Sequence, residues 1–297
     1  MASPFRAMTF NIRTAAADDG PNHWDLRKEL VAKTIRENDP DLLGVQEPTE
    51  SQWEEMSRAL AAKWTGVAQG RRDGRERLAH LQGLFYRTER FDRIRDGVFW
   101  LSDTPHVPGS ISWAQDWGAR ICVWAHLMDK ELARELVFAV VHVDTAEAAW
   151  LPSVKVLSGE LPPIATGAPI VLVGDFNCSA GCEAWRWITG PGGFSDAWTA
   201  AGNPDRGITT FNAFYSIPIL PLHDLPRLEK WMHQTCDSMP QFAHYPGHVM
   251  EHQNYRIDWI LTRGAPRATE ARVDTRDFDG RTPSDHYPVI AALDWAD

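Results

Sequence analysis

The 297-residue chain reads as an α+β protein built on mixed or antiparallel sheets. Three observations point there. Strand-like runs outnumber helix-like ones. Many of those runs follow one another with no helix between, which a doubly wound parallel sheet does not allow. And no repeat, low-complexity tract or linker divides the chain, so one domain is expected over 1–297.

The elements follow in order. RAMTFNI, beginning at Arg6, is the first strand. HWDLRKELVAKTIREN (23–38) has helical character, with Asn22 as its cap and Pro40 as its stop. DLLGVQ from Asp41 is a strand. Residues 51–62 read as a helix opened by Ser51-x-x-Glu54, a capping-box pattern. LQGLFYR, RICVWAHL and ELVFAVVHV are three strands. WLPSVKVLSGEL from Trp150 is a helix, PIVLVGD a strand buried on both faces, and YRIDWIL and HYPVIAAL close the set. Residues 212–255 stand apart. They are rich in Pro, His and Met, lack a clean period, and are long for a structureless loop, which marks them as an insert or lid.

The composition is 43% hydrophobic, sufficient for a substantial core, and the 14 Trp are expected mainly to pack within it. A formal charge of −10 gives no long-range attraction to polyanions, which disfavours a tight, sequence-tolerant nucleic-acid binder unless a basic patch or bound cations reverse it. No stretch is long enough to span a membrane, and MASPFRAMTFNIR has no apolar signal core, so a cytoplasmic location is expected. Cys122, Cys178, Cys182 and Cys236 form no CxxC pair and are expected as reduced thiols.

The chemistry lies in polar residues at strand ends. Asn11 follows MTF, Glu47 follows DLLGVQ, and His142 and Asp144 end VFAVVHVD. Asp175 and Asn177 end IVLVGDFN, Asp258 sits in RIDWIL, and Asp285 and His286 open SDHYPVIAAL. Alternation along an extended chain would put Asp175 and Asn177 on one face. Any one of these residues alone is explained as a cap, a turn or a satisfied core group. Together, on a shared rim, they could bind a hard divalent cation through oxygen and place a histidine for proton transfer. That is the chemistry of phosphate-ester hydrolysis. Cysteine-rich zinc spacing is absent.

In set and order, MTFNIR (8–13), DLLGVQE (41–47), VVHVD (140–144), VGDFN (173–177), RIDWIL (256–261) and SDHYPVIA (284–291) resemble the endonuclease/exonuclease/phosphatase family, the DNase I-like fold. FNIR, a W-x-x-R at Trp24 and FWLSDTPHVPGS also resemble a bacterial subgroup. The resemblance implies a four-layered sandwich, two packed mixed sheets flanked by helices, with a Mg²⁺- or Mn²⁺-dependent hydrolase site at one rim. It implies Glu47 as the main metal ligand, with Asn11 and Asp285 nearby. Asp175 would orient or deprotonate the attacking water, and Asn177 would hold a phosphoryl oxygen or the nucleophile. His286 would contact the scissile phosphate with its tautomer set by Asp258, and His142 would bind phosphate or protonate the leaving group.

Two departures stand out. Many relatives carry Asn two residues before the first histidine and a second His after its Asp, where this chain has Val140 and Thr145. Residues 70–83 carry four Arg, Arg75 among them, in place of an acidic residue. That stretch is either a solvated basic loop or an anion site for substrate, and Arg120 and Asp144 are further substrate-binding candidates. His248, with His244 and His252 at spacings of four, belongs to the insert, either in a lid shaping substrate choice or in a second metal site. The expected activity is metal-dependent hydrolysis of a small or non-polymeric phosphate ester. A DNA or RNA nuclease and, in another class, a degenerate binding protein are the alternatives.

Overall fold

The structure, a computed structural model, describes residues 4–71, 80–115, 117–204, 208–214 and 256–295. Arg75, His248, Cys236 and the insert beyond residue 214 lie outside them.

Two sheets of six strands face each other. The first comprises β1 (Phe5–Asn11), β2 (Leu42–Gln46), β3 (Trp64–Gly70), β4 (Leu81–Arg87), β11 (Arg267–Val273) and β12 (Val289–Asp294), in the order β11-β12-β1-β2-β4-β3. The second comprises β5 (Phe91–Trp100), β6 (Ile121–Asp129), β7 (Arg134–His142), β8 (Ile170–Asp175), β9 (Ser195–Asp196) and β10 (Asp258–Arg263), in the order β5-β6-β7-β8-β10-β9. Each sheet has one parallel pair near its middle, β1 with β2 and β7 with β8, and antiparallel neighbours elsewhere. Helices α1 (Trp24–Asn38) and α2 (Glu50–Leu60) cover the first sheet, and α3 (Glu147–Ala165) and α4 (Glu183–Thr189) cover the second. The short α5 (Ala197–Ala200) follows β9.

Strand alternation sorts the side chains into the layers. In β7, Val137, Ala139 and Val141 pack under α3 and α4 with Val154, Leu157, Leu161 and Ile188. Leu136, Phe138 and Val140 face the other sheet with Phe5, Ala7, Leu42 and Leu84. Met8, Phe10, Leu43 and Val45 pack outward on Val31, Ile35, Met56 and Leu60. The same parity puts Asn11, Gln46, His142, Asp175 and Asp258 on the inter-sheet side. Val140, where many relatives carry Asn, is wholly buried in that inter-sheet core. The facing sheet approaches tightly at Gly44, where a Cβ would lie 2.4 Å from Cγ2 of Val173 and 2.9 Å from Cγ2 of Val140.

Some local expectations shift. α1 is capped by His23, whose ring accepts from the Asp25 amide, and not by Asn22, which closes a short 3₁₀ turn. It ends at Asn38 with Asp39 in the left-handed region, ahead of Pro40. The capping box of α2 is Thr49 with Gln52 rather than Ser51 with Glu54. The Ser51 hydroxyl instead meets that of Thr49 at 3.0 Å. β3, β5, β9, β11 and the helices α4 and α5 add to the elements expected from sequence. Cys122, Cys178 and Cys182 are free thiols. No helix among the described residues is long and apolar enough to cross a membrane.

Candidate active site

The parallel pairs explain why polar residues gather. Parallel strands end together, and an antiparallel neighbour begins where they end. His142 at the end of β7 lies opposite Asp175 at the end of β8, and Asp175 lies opposite Asp258 at the start of β10. In the facing sheet, Asn11 and Gln46 pair at the ends of β1 and β2. Glu47 follows, and Asp285 and His286 precede β12.

The groups meet around Asp175. The amide nitrogen of Asn11 donates to Asp175 Oδ2 at 3.0 Å and to Glu47 Oε1 at 3.2 Å, bridging the two sheets. Nε2 of His142 lies 3.4 Å from the same Asp175 oxygen, and Nε2 of His286 lies 3.7 Å from it. Nδ1 of His286 bonds Asp258 Oδ2 at 2.9 Å. The ring of Phe211 meets His286 edge-on, centroids 5.1 Å apart. Thr210 Oγ1 accepts from the amides of Ile257 and Asp258, and the amides of Asn212 and Ala213 donate to the Asp285 carbonyl. The start of the expected insert is thus tied to the rim.

The two histidines differ in protonation for a geometric reason. Arg71 Nη2, always a donor, lies 3.1 Å from His142 Nδ1. That nitrogen therefore accepts, and the ring proton sits on Nε2, toward Asp175. Burial, then Arg120 and Arg71, holds His142 well below its usual range, so it is neutral. His286 faces a carboxylate from each nitrogen. Burial opposes its charge, but Asp258 and Asp175 outweigh it and push the imidazole up to about 10. Burial, then Asp258, pushes Asp175 up to about 7. Burial also opposes the charge of Glu47, yet Arg13, His80 and the Asn11 amide hold its carboxyl down at about 2.

Other residues take narrower places. Asp285 is raised, chiefly by burial, and lies 3.7 Å from Arg13 Nη1. Asn177 does not continue the strand's alternation. Its φ of 52° is left-handed, its amide folds back onto Asp175 Oδ1 at 2.9 Å, and its side-chain nitrogen donates to the Val143 carbonyl at 2.8 Å. The side-chain oxygen of Asn11 accepts from the Arg13 amide. As placed, Asn11 is a donor clamp between Glu47 and Asp175 rather than an oxygen ligand. Asp144 pairs with Arg120 Nε at 2.9 Å and also accepts from the amides of Trp117 and Ala146. Thr145, at the position of the relatives' second His, accepts from the indole nitrogen of Trp117.

Sequence reading gave no role to several neighbours. Arg13, the last residue of the FNIR motif, joins Asp19 through two 3.0 Å bonds and reaches Asp285. Arg27, the arginine of the W-x-x-R motif, donates to the carbonyls of Ile12, Arg13, Asn22 and Pro283. Burial lowers its guanidinium to about 10. His80, held down at about 4 by burial, lies in the field of Glu47. The two arginine motifs were legible; what they bind was not.

The donors fit a hard divalent cation. Asp175, Asp258 and Asp285 are buried, Glu47 is half-buried, and among the described residues Oδ1 of Asp258 has no hydrogen-bond partner. Four carboxylates at one rim make a donor set rich in oxygen, which suits such an ion. Ligand atoms of Asp175, Asp258 and His286 also lie within 4.8 Å of one another. That trio is already joined by carboxylate–imidazole contacts, which account for it without an ion. Glu47, held anionic, is free of that trio and could serve as a ligand.

A family model for the endonuclease/exonuclease/phosphatase family matches residues 8–286, and the chain belongs to that family. No curated protein matches it. Among solved structures, it is similar to the mannosyl-6-phosphatase of Bacteroides thetaiotaomicron VPI-5482, at 26% identity, TM-score 0.77, covering 98% of this chain and 100% of that one. An endonuclease/exonuclease/phosphatase protein from Bacteroides vulgatus matches at 25% identity and TM-score 0.81, covering 99% and 100%. The human Nocturnin catalytic domain, at 18% identity and TM-score 0.68 over 99% of this chain and 94% of that one, shares the fold. The DNase I-like architecture implied by the motifs is the one observed.

Proposed function

We propose that this protein hydrolyses a small or non-polymeric phosphate ester with Mg²⁺ or Mn²⁺. The observation that carries the reading is the convergence of His142 and His286 on one oxygen of Asp175, with Asp258 behind His286. Glu47 would hold the cation, with Asp285 beside it and Asn11 fixing the Glu47 carboxylate. The cation would neutralise charge on the phosphoryl oxygens and lower the pKa of water.

The chain's own groups supply the rest. Asp175 orients the attacking water and accepts its proton. Cationic His286, held by Asp258, donates to a phosphoryl oxygen and stabilises the charge that develops there. Neutral His142 presents its Nε2 proton toward the reacting group, and Asn177 stiffens the turn after Asp175. Arg120 is held by Asp144 at the same rim and faces substrate from the His142 side. The acidic overall charge supports a small substrate over a polymeric anion.

The test is a panel of phosphate mono- and diesters with DNA and RNA, run with chelator and with Mg²⁺ or Mn²⁺ restored, on wild type and Asp175→Asn. Small-ester turnover that needs the cation and disappears in the variant is expected. Chelator-resistant turnover, or full activity in the variant, overturns the assignment. Cation-dependent cleavage confined to nucleic acid replaces the small-ester reading with a nuclease.

A further inference from the structure

Beside His142 lie two buried guanidinium groups that the hydrolytic scheme leaves incomplete. Arg71 directly follows β3, and Arg120 directly precedes β6. Their exposures are only 6% and 2%. Among the described residues Arg120 bonds one carboxylate, Asp144, and its Nη1 is buried without a hydrogen bond. Arg71 pairs with no carboxylate among the described residues. One of its terminal nitrogens meets His142, and its Nε is buried and unpartnered.

The backbone holds Arg71 in place, since its carbonyl accepts from the indole nitrogen of Trp100 at 2.6 Å. A third unsatisfied group stands at the same end of the sheet. Gln82 is wholly buried, and neither its side-chain nitrogen nor its oxygen has a partner. It lies opposite Gln46 and Gln69 and shares the inter-sheet parity of Leu84.

Buried donors left open are costly, and a buried cation without a counter-charge more so. Burial, then the field of Arg120, lowers Arg71 to about 9, against the opposing fields of Glu47, Asp144 and Asp175. None of those carboxylates bonds Arg71 among the described residues, and neutral His142 offers no charge to pair with it. An anion does: two guanidinium groups with free N–H atoms suit a phosphate oxygen in geometry as well as charge.

The substrate's chemistry identifies which anion. A diester brings one negative charge, which the cation site and His286 already meet. A monoester dianion brings a second charge and a third terminal oxygen. We propose that Arg71 and Arg120 form a buried subsite beside His142 that takes this additional oxygen, so that the site selects phosphate monoesters over diesters. This rests on the hydrolase reading above, though anion binding does not require it.

The test uses Arg71→Met and Arg71→Lys, leaving Arg120 intact because it also holds Asp144. Kinetics with p-nitrophenyl phosphate and bis-p-nitrophenyl phosphate are paired with calorimetric titration of inorganic phosphate. Arg71→Met should lower kcat/KM for the monoester by about 30-fold more than for the diester, the excess being the lost charge-assisted contact and the loss common to both esters reporting the released His142 ring. Phosphate binding should weaken by about tenfold or more, and Arg71→Lys should recover part of both. Equal losses on the two esters would mean that Arg71 acts only by positioning His142, and unchanged phosphate affinity would overturn the subsite. If the wild type cleaves neither ester, the hydrolase reading fails, while phosphate binding still decides the subsite. Should the Met variant not fold, the Lys variant is scored by the same ratio.

Discussion

Nδ1 of His286 lies 2.9 Å from Oδ2 of Asp258, and both side chains are buried. Asp258 starts β10 and His286 precedes β12, so the bond joins the two sheets. It fixes which way the imidazole faces and supports its positive charge. Asp258→Asn keeps the shape and removes the charge. It should lower kcat/KM for the phosphate ester by about 10³-fold, within the range for a mispositioned acid–base group. The thermal midpoint should move little by comparison. Kinetics and a melt on one preparation check this; a variant with near-wild-type turnover would remove Asp258 from the site.

Arg27 is predicted to be the most sensitive residue outside the chemistry. Its guanidinium bonds four carbonyls, three of them in the segments that carry Asn11 and Asp285. Arg27→Lys keeps a charge but cannot span those acceptors, and strands buried carbonyls that each cost about 1–3 kcal/mol. Stability should fall by about 3 kcal/mol, and the affinity for Mg²⁺ should weaken because the backbone flanking its ligands loosens. Urea unfolding and a metal titration of activity measure the two effects separately. Unchanged metal affinity in a destabilised variant would restrict Arg27 to a structural role.

How much of this was readable in the sequence follows from where the signal lies. Strand-end motifs carry both an apolar run and a polar terminus, so Asn11, His142, Asp175, Asp258 and His286 announced themselves, and strand parity puts them in one layer. The edge strands did not. β5 and β11 present long polar faces to solvent, FDRIRDGV and RATEARV, and lack the apolar run that marked the central strands. The cap of α2 was misplaced by two residues because Thr49–Gln52 and Ser51–Glu54 are chemically similar boxes, and only the chain path out of β2 chooses between them. Asn177 was read as extended, but its left-handed turn depends on the carboxylate of Asp175. The roles of Arg27 and Arg71 were hidden for another reason: their partners are main-chain carbonyls and a distant histidine, which leave no local pattern.

Asp274 gives a pH prediction away from the site. It bonds Arg276 and Asn38, joining the end of β11 to the end of α1. Burial would raise its carboxyl, but the bonds to Arg276 and Asn38 outweigh that and lower it. A carboxylate lowered in the folded state binds protons more readily when unfolded. Its contribution is therefore present above the ordinary carboxylate range and lost as pH falls through the folded value. Urea midpoints measured from neutral pH down to about pH 3 should decline less steeply in Asp274→Asn than in wild type. Parallel curves would show that Asp274 does not contribute to the acid limb.

Gly44 couples packing to the site. The facing sheet leaves no room for a side chain at Gly44, where an added methyl would sit 2.4 Å from Val173 and 2.9 Å from Val140. Valine methyl groups cannot swing aside as a long side chain would, so the sheets must part. Gly44→Ala should cost about 1–3 kcal/mol, as overpacking does in a well-filled core. The displaced residues are also two positions before Asp175 and His142 on the same faces of β8 and β7, so the strain runs directly into those two side chains. Activity should accordingly fall further than the loss of folded protein explains. Adding Val173→Ala opens the space again and should restore most of both stability and turnover. The double-mutant cycle is the decisive measurement: a strong compensating interaction places the strain between residues 44 and 173, whereas additive losses would mean that the methyl acts elsewhere.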